Sequence, residues 1–454
     1  MVEERNIQES NDRSTPGSVR AAQRVVDDLF GPVRGRSFAV RYWDGTVETP
    51  PTGRGPAFTL AINRAGALRR MLLPPSELSL AEAFVYGDAD IEGDIEHAAI
   101  LGDAAVSRIR SPARAAALLR HVLRLPADDG PPLDDPTRAA RGLFRSGRKH
   151  AVERDARAIR FHYDVGNAFY ALWLDRQMVY SCGYFARGDE TLDDAQTAKL
   201  DLVCRKLRLK PGERLLDIGC GWGALVLHAA RHYHVRALGI TLSREQAAFA
   251  RERIAGAGLE DRITIEERDY RSLGRAPRFD KIASVGMVEH VGAGRLADYF
   301  SAAFRVLEPG GLFLNHGIVS LEDARPRSRL EPLYRRLWRR DTFIKKYVFP
   351  DGKLIPASLT IAAAEAAGFE TRDVESLREH YLTTLRHWVR RLESRRDEAI
   401  AVAGEVTYRV WRLYMAAAAH GFAVGRIGIL QSLFAKQEPG GAVELPRTRA
   451  DLYR

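Results

Sequence analysis

The sequence predicts an α/β protein: a doubly wound, mostly parallel sheet with an inserted substrate cap, preceded by a smaller N-terminal α+β domain. Two observations predict it. Between residues 214 and 318, five short apolar strands alternate with helical stretches, the pattern of a parallel sheet covered on both faces. At 454 residues the chain also exceeds what one ordinary core accommodates, so two domains are the default.

In chain order, residues 1–20 are charged and have no apolar stretch behind a basic tip, so they read as a disordered leader and not a secretory signal. Residues 21–125 form the small domain. Ser18 to Leu29 is a helix with Val25, Val26 and Leu29 on one side, and 38–48 is a hairpin turning at Asp44-Gly45. A strand at 57–63 and a helix at 78–87 follow, and Asp88, Asp90, Glu92 and Asp94 make an acidic turn around Gly93. Proline, glycine and charge without periodicity make 126–150 a linker. The remainder, 151–454, holds the sheet.

There a helix over 192–209 precedes the strand RLLDIG (214–219). A helix (223–233), the strand VRALGIT (235–241) and a helix (243–258) capped by Ser243 come next. Further strands are ITIEERD (263–269), FDKIASVG (279–286) and GLFLNHGI (311–318). Residues 320–352 break the alternation and read as a cap over the active site, and 395–435 reads as a long amphipathic helix plus a strand.

Composition narrows the function classes. No window approaches the roughly 18–20 apolar residues of a membrane span. Cys182, Cys204 and Cys220 cannot form a disulfide framework and lack the spacing of a metal pair, which fits a reducing cytoplasm and no metal site. A net charge of +10 draws the protein toward polyanions, but no nucleic-acid-binding motif accompanies it.

The chemistry gathers at strand ends. Asp217-Ile-Gly219-Cys-Gly221-Trp-Gly223 follows an apolar strand and opens a helix. Glycines let the backbone approach a ligand closely. A dinucleotide could use such a turn, but the aspartate repels phosphate and suits a sulfonium and an amino group. The lysine and hydroxyl ending of a nucleotide phosphate loop is missing. S-Adenosylmethionine is therefore the expected cofactor. The second strand ends without a ribose-binding acid, so Gly239, Thr241, Ser243 and Gln246 supply neutral hydrogen bonds, while Asp269 is placed for the adenine amino group. Glu289 and His290 follow the fourth strand, His316 closes the fifth, and Tyr180-Ser181-Cys182 gathers hydroxyl and thiol groups.

LSLAEAFVYGDADIEGD (78–94), HYDVGNAFYALWL (162–174), YSCGYF (180–185), LLDIGCGWG (215–223), SVGMVEHVG (284–292), HYLTTLRHW (380–388) and LPRTRADLY (445–453) carry a resemblance over about residues 55–454. With these motifs the chain closely resembles the cyclopropane-fatty-acyl-phospholipid synthases and the related mycolic acid cyclopropane synthases. The glycine loop is shared by many methyltransferases; YSCGYF with GMVEHVG and HYxxTLxxW is far more specific. The resemblance implies a class I methyltransferase sheet and transfer of a methylene group from S-adenosylmethionine to the double bond of a phospholipid acyl chain. It also implies a bicarbonate ion as general base, held by Cys182, Glu289, His316, Tyr381 and the main chain at Val285. Cofactor contacts are implied at Tyr180, Ser181, Gly219, Gly221, Thr241 and Gln246, and a homodimer is implied.

Such an acceptor lies in a bilayer. Residues 325–346 carry nine Arg or Lys against Glu331 and Asp341, interleaved with Leu330, Leu333, Leu337, Trp338 and Phe343. This segment reads as a contact with the anionic inner face of the membrane, so the protein is expected to be cytoplasmic and peripherally attached.

Overall fold

The computed structural model describes residues 16–51, 55–73, 76–109, 112–127, 165–275, 278–321, 342–349 and 352–453. The leader up to 15, the linker from 128 and the cap over 322–341, with its arginines from Arg325 to Arg340, lie outside the described residues. So do His162 and Tyr163 of the HYDVG stretch. The chain forms two compact units, divided near residue 135. Among the described residues no helix is long and apolar enough to cross a membrane.

The first unit contains helices α1 (Pro16–Phe30), α2 (Ala67–Leu72), α3 (Glu77–Val85), α4 (Ile95–Ile109) and α5 (Pro112–Val122). Strands β1 (Ala39–Arg41), β2 (Val47–Glu48), β3 (Phe58–Ile62) and β4 (Ala89–Gly93) form a sheet in the order β2-β1-β3-β4. Val25, Val26 and Leu29 of α1 pack with Phe38, Phe58 and Leu60, and the rings of Phe38 and Phe58 stack at 4.9 Å. Arg36 is buried, with Glu48 at 2.9 Å, an ion pair to Asp27 and the Gly31 carbonyl, so its charge is compensated. The acidic run at 88–94 is not a turn but the edge strand β4, paired antiparallel to β3. Asp90 and Glu92 on the strand are half-exposed or exposed, and charge on an edge strand discourages further pairing, whereas Asp88 just before it is buried against Arg70.

The second unit begins its described part with α6 (Asn167–Ala171) and α7 (Leu192–Lys206). Strand β5 (Arg214–Ile218), α8 (Ala224–Tyr233), β6 (Arg236–Thr241), α9 (Arg244–Gly256), β7 (Ile263–Glu267) and β8 (Phe279–Val285) then alternate. Helices α10 (Val288–Val291) and α11 (Leu296–Val306) lead to the long strand β9 (Leu307–Ser320). After α12 (Phe343–Tyr347) and α13 (Ala357–Ala366) come β10 (Glu370–Ser376), α14 (Arg378–Ser394), α15 (Arg396–Ala403), α16 (Glu405–Ala423) and β11 (Ile427–Ala435).

The seven strands are ordered β10-β11-β9-β8-β5-β6-β7. β5 through β9 pair in parallel, whereas β11 runs antiparallel to both β9 and β10. Apolar side chains of α7, α8 and α9 cover one face (Leu200, Val203, Val226, Ala250) and those of α11 and α13 the other (Leu296, Phe300, Ala364). The doubly wound, mostly parallel class I methyltransferase sheet is thus present. Two elements depart from the sequence reading. The helix expected after 395 is broken at Gly404, whose φ of 81° ends α15 and restarts the chain as α16. β10, ETRDVES, is a polar edge strand whose Glu375 pairs with the buried Lys206.

β8 stops pairing with β9 at the Val285–His316 register, and α10 turns across the strand beyond it. Close approach there requires Gly317: a Cβ would stand 2.3 Å from Val288 Cγ1. Gly317→Ala is expected to cost about 1–3 kcal/mol by overpacking. Adding Val288→Ala should recover part of that loss, because it removes the opposing methyl. Urea midpoints of the single and double variants check this; purely additive losses would refute the contact.

Candidate functional site

A cleft opens beyond the carboxyl ends of β5, β6 and β8, where the strand order reverses. Open parallel sheets bind ligands at that switch point. The loop after β5 forms its floor. Gly219 and Gly221 have φ of 86° and 54°, which side-chain-bearing residues rarely adopt, and the Gly219 and Cys220 amides both donate to the Ile240 carbonyl (2.9 and 3.0 Å). Asp217, at the last turn of β5, is buried in the cleft wall. Burial raises its carboxyl to about 7, against the lowering effect of Lys199.

Tyr180, Ser181, Asp217, Gly219, Gly221, Thr241, Gln246 and Asp269 all line this cleft, and so does Val285. Thr241 Oγ1 donates to Gln246 Oε1 (3.0 Å), and Ser243 Oγ caps α9 through the Gln246 amide. Two of the expected cofactor residues are also engaged within the fold. Gly239 does not line the cleft; it is buried inside β6, where a Cβ would lie 2.9 Å from Cys220 Sγ and 2.7 Å from Ile265. Its role is to seat the glycine loop. Asp269 reaches the cleft already engaged, since both its oxygens accept from Arg271 (2.8 and 2.6 Å).

The Tyr180–Phe185 loop is held from two sides. From α7, Gln196 Nε2 donates to the Ser181 carbonyl (2.7 Å), and Lys199 Nζ donates to Ser181 Oγ (2.9 Å). From α14, Thr384 Oγ1 accepts the Gly183 amide (3.0 Å), and His380 Nδ1 accepts that of Phe185 (3.0 Å). The Tyr184 and Phe185 rings stack on His380 and His387, so neither joins the cleft lining. Tyr180 instead packs into an aromatic cluster with Tyr170, Trp173, Trp388 and Trp411, at 5.3–6.0 Å. Trp222 brings that cluster to the cleft wall through Tyr170 (5.1 Å).

The remaining sequence candidates, Cys182, Glu289, His316 and Tyr381, are not in the cleft lining and are linked mainly through the main chain near the end of β9. Cys182 Sγ faces the Leu377 carbonyl at 3.8 Å, and the same carbonyl accepts the Tyr381 amide. The Leu377 amide donates to Ile429 of β11; Ile429 and Gln431 pair with Ile318 and His316 of β9; and the Ile318 amide donates to Glu289 Oε1 (2.7 Å). Gly286 N donates to the His316 carbonyl (2.8 Å), which ties in Val285. Four distant sequence segments thus meet at one end of the ladder. Glu289 Oε2 and His316 Nε2 are buried and, among the described residues, have no hydrogen-bond partner.

Comparison with known proteins agrees with this fold. Residues 150–432 match the model of mycolic acid cyclopropane synthetase, and 25–103 match a domain of unknown function. The chain belongs to the mycolic acid cyclopropane synthetase family. A protein of Pseudomonas putida named "Probable fatty acid methyltransferase" is 41% identical over 95% of this chain and 98% of its own. The cyclopropane synthase MmaA2 of Mycobacterium tuberculosis superposes with a TM-score of 0.57 at 33% identity, over 62% of this chain and 98% of that one. The mycolic acid cyclopropane synthase CmaA1, in complex with SAH and CTAB, also has a TM-score of 0.57, at 34% identity over 62% and 97%. As a family member the protein is an S-adenosylmethionine-dependent methyltransferase acting on fatty-acyl lipid chains.

The site is electrostatically unusual. Burial raises Glu289 to about 7, opposed by the Ile318 amide. Burial, with Lys199 and Lys206 nearby, pushes His316 well below the ordinary histidine range, so it is neutral at pH 7. Cys182 is held as a thiol, because burial raises it strongly. Gln431 Nε2 donates to His316 Nδ1 (3.1 Å), leaving the ring hydrogen on Nε2. Lys199, Gln431, Thr384 and Arg271 were not singled out by the sequence. For Lys199 a signal existed: with Leu192, Ala195, Gln196 and Val203 it falls on the buried stripe of α7.

A carboxyl raised in the folded state favours folding below its unfolded value, and that contribution is lost as pH rises through the folded value. Between pH 4.5 and 7.5, Glu289→Gln should therefore gain stability relative to wild type by up to about 3 kcal/mol. Denaturation midpoints of the ligand-free proteins at the two pH values measure it; parallel pH curves would contradict the burial of this carboxylate.

Proposed function

We propose that the protein is a cyclopropane-fatty-acyl-phospholipid synthase that closes a ring on the cis double bond of a membrane lipid with bicarbonate as base. The carrying observation is the pair of buried atoms without partners, Glu289 Oε2 and His316 Nε2. One accepts and the other donates, the combination suited to an ion that carries both an anionic oxygen and an OH. When bound, bicarbonate supplies a base for a proton of the transferred methyl group.

The chain's own residues account for the other requirements. An isolated alkene is a weak nucleophile, so donor and acceptor must be held close and in line. Asp217 and the glycine loop hold the donor, and Asp217 provides the anion that a sulfonium and amino group call for. Glu289, His316, Tyr381 and the Cys182 thiol would hold the base. Cys182 stays protonated, which keeps a competing nucleophile away from positive charge developing on the acyl chain. Trp222 presents an aromatic face in the cleft, which stabilises such charge without capturing it. The apolar cluster behind it helps keep out water, which would trap the cation as an alcohol.

A second reading is supported by the Pseudomonas putida relative, whose printed name is a fatty acid methyltransferase. Loss of a proton from the chain instead of from the new methyl group gives a methyl-branched alkene of equal mass. NMR of the lipid after incubation with S-adenosylmethionine and unsaturated phospholipid vesicles separates ring from branch. Glu289→Gln is expected to lower turnover by more than about tenfold, the range of general-base loss, with little change in cofactor affinity. Equal losses of binding and rate would remove Glu289 from the base site.

Membrane attachment, on the cytoplasmic face and through the basic 325–346 segment, belongs to the same proposal, as does a homodimer. Cosedimentation with anionic vesicles should fall as salt rises, and neutralising Arg335, Arg336, Arg339 and Arg340 together should reduce it further. Binding that ignores both changes would assign the segment another role.

A further inference from the structure

Lys199 poses a problem that the proposed chemistry leaves unsolved. Its side chain is 2% exposed, yet it lines the cofactor cleft. Its one hydrogen bond among the described residues goes to a neutral group, Ser181 Oγ at 2.9 Å, and no carboxylate there forms an ion pair with it. Taking an ammonium out of water without an anionic partner is among the most costly things a fold does. Two carboxylates bear on it electrostatically, and neither closes on it. Asp175 is occupied, since its oxygens accept the Gln177 and Val179 amides (both 2.8 Å). Asp217 lines the same cleft and remains beyond ion-pair distance.

The cleft therefore holds a buried cation and a buried acid that face it without joining. The head of an amino acid carries the opposite pair, an ammonium and a carboxylate on one carbon. S-Adenosylmethionine has such a head. We infer that Lys199 is the binding residue for the α-carboxylate of the cofactor's methionine moiety, with Asp217 opposite it for the α-amino group. Ser181 Oγ then orients the lysine, and Gln196, one turn earlier on α7, fixes the Ser181 main chain. The recognition part of α7 is Gln196 and Lys199, on the same buried stripe. Burial brings the Lys199 ammonium down to about 8, partly offset by Asp175, so it is still mostly charged at neutral pH and can serve an anion. This inference rests on the cofactor and not on whether the product is a ring.

Isothermal titration with S-adenosylhomocysteine and with its decarboxylated analogue, which keeps the amine and lacks the carboxylate, tests it in the full chain. Wild type should bind the complete ligand at least tenfold more tightly than the analogue. Lys199→Met should lose that preference, weakening the complete ligand at least tenfold while binding the analogue as wild type does. Lys199→Arg, which keeps the charge, should retain part of the preference. Because the wild-type comparison needs no variant, misfolding of Lys199→Met cannot hide the answer. Equal affinity of wild type for the two ligands would overturn the assignment, as would equal weakening of both by Lys199→Met. Unchanged S-adenosylhomocysteine affinity with a raised bicarbonate requirement would move Lys199 to the small anion and overturn it too.

Discussion

The early end of β8 is the constraint on which the rest of the second unit depends. A parallel partner would ordinarily supply a carbonyl to the Ile318 amide of β9. β8 has stopped by then, and the carboxylate of Glu289 takes that place from α10. One oxygen of Glu289 is thus a substitute for the missing strand, which fixes the other at the end of the ladder. The site needs no flexible loop to place this group. Gly317 permits it by letting Val288 lie against the strand. On the proposed reading a structural bond and a reactive position come from one side chain, so substitutions at Glu289 test both together unless stability is measured beside rate.

The same economy appears in the buried charges. Arg36 in the first unit and Lys206 in the second are buried with carboxylate partners, so they act as structural ion pairs. Lys199, Asp217 and Glu289 are buried too, but among the described residues none has an oppositely charged side chain at ion-pair distance. Incomplete compensation of that kind is expensive to keep and clusters at functional sites. On the proposed reading, the presence of an ion-pair partner separates Lys206, which holds the fold, from Lys199, which holds a ligand, although both are buried lysines of the same helix.

Much of this was legible in the sequence, for a physical reason. β5 to β9 are apolar strands between helices, and burial on both faces leaves a strong signal in composition. What escaped was polar. β4 and β10 are edge strands whose acids resemble a turn or a loop until a neighbouring strand is known. The glycine loop was readable because its positive φ demands glycine, but the close packing at Gly239 was not: a strand glycine admits either a ligand or a neighbouring side chain, here that of Cys220. The pairing of Asp269 with Arg271 was not legible, because an arginine two residues on reads as a surface charge and no local pattern announces a bidentate pair. Lys199 was overlooked because lysine on a helix is ordinarily solvated, and only its place in the stripe of Gln196 and Val203 argues otherwise.

The protonation pattern bears on which anion the end of β9 can accept on the proposed reading. His316 is neutral with its hydrogen on Nε2, so it donates one bond and brings no charge. Glu289 lies near its midpoint at neutral pH; ionised, it accepts only, and it repels any anion that cannot offer a proton. A plain carboxylate or chloride would meet that repulsion uncompensated. An anion bearing its own OH turns the contact with Glu289 into a charge-assisted hydrogen bond and keeps an oxygen for His316. Selectivity for bicarbonate over more abundant anions would then come from the raised, half-ionised glutamate and not from positive charge, which is why a site for an anion can be built with a carboxylate at its centre.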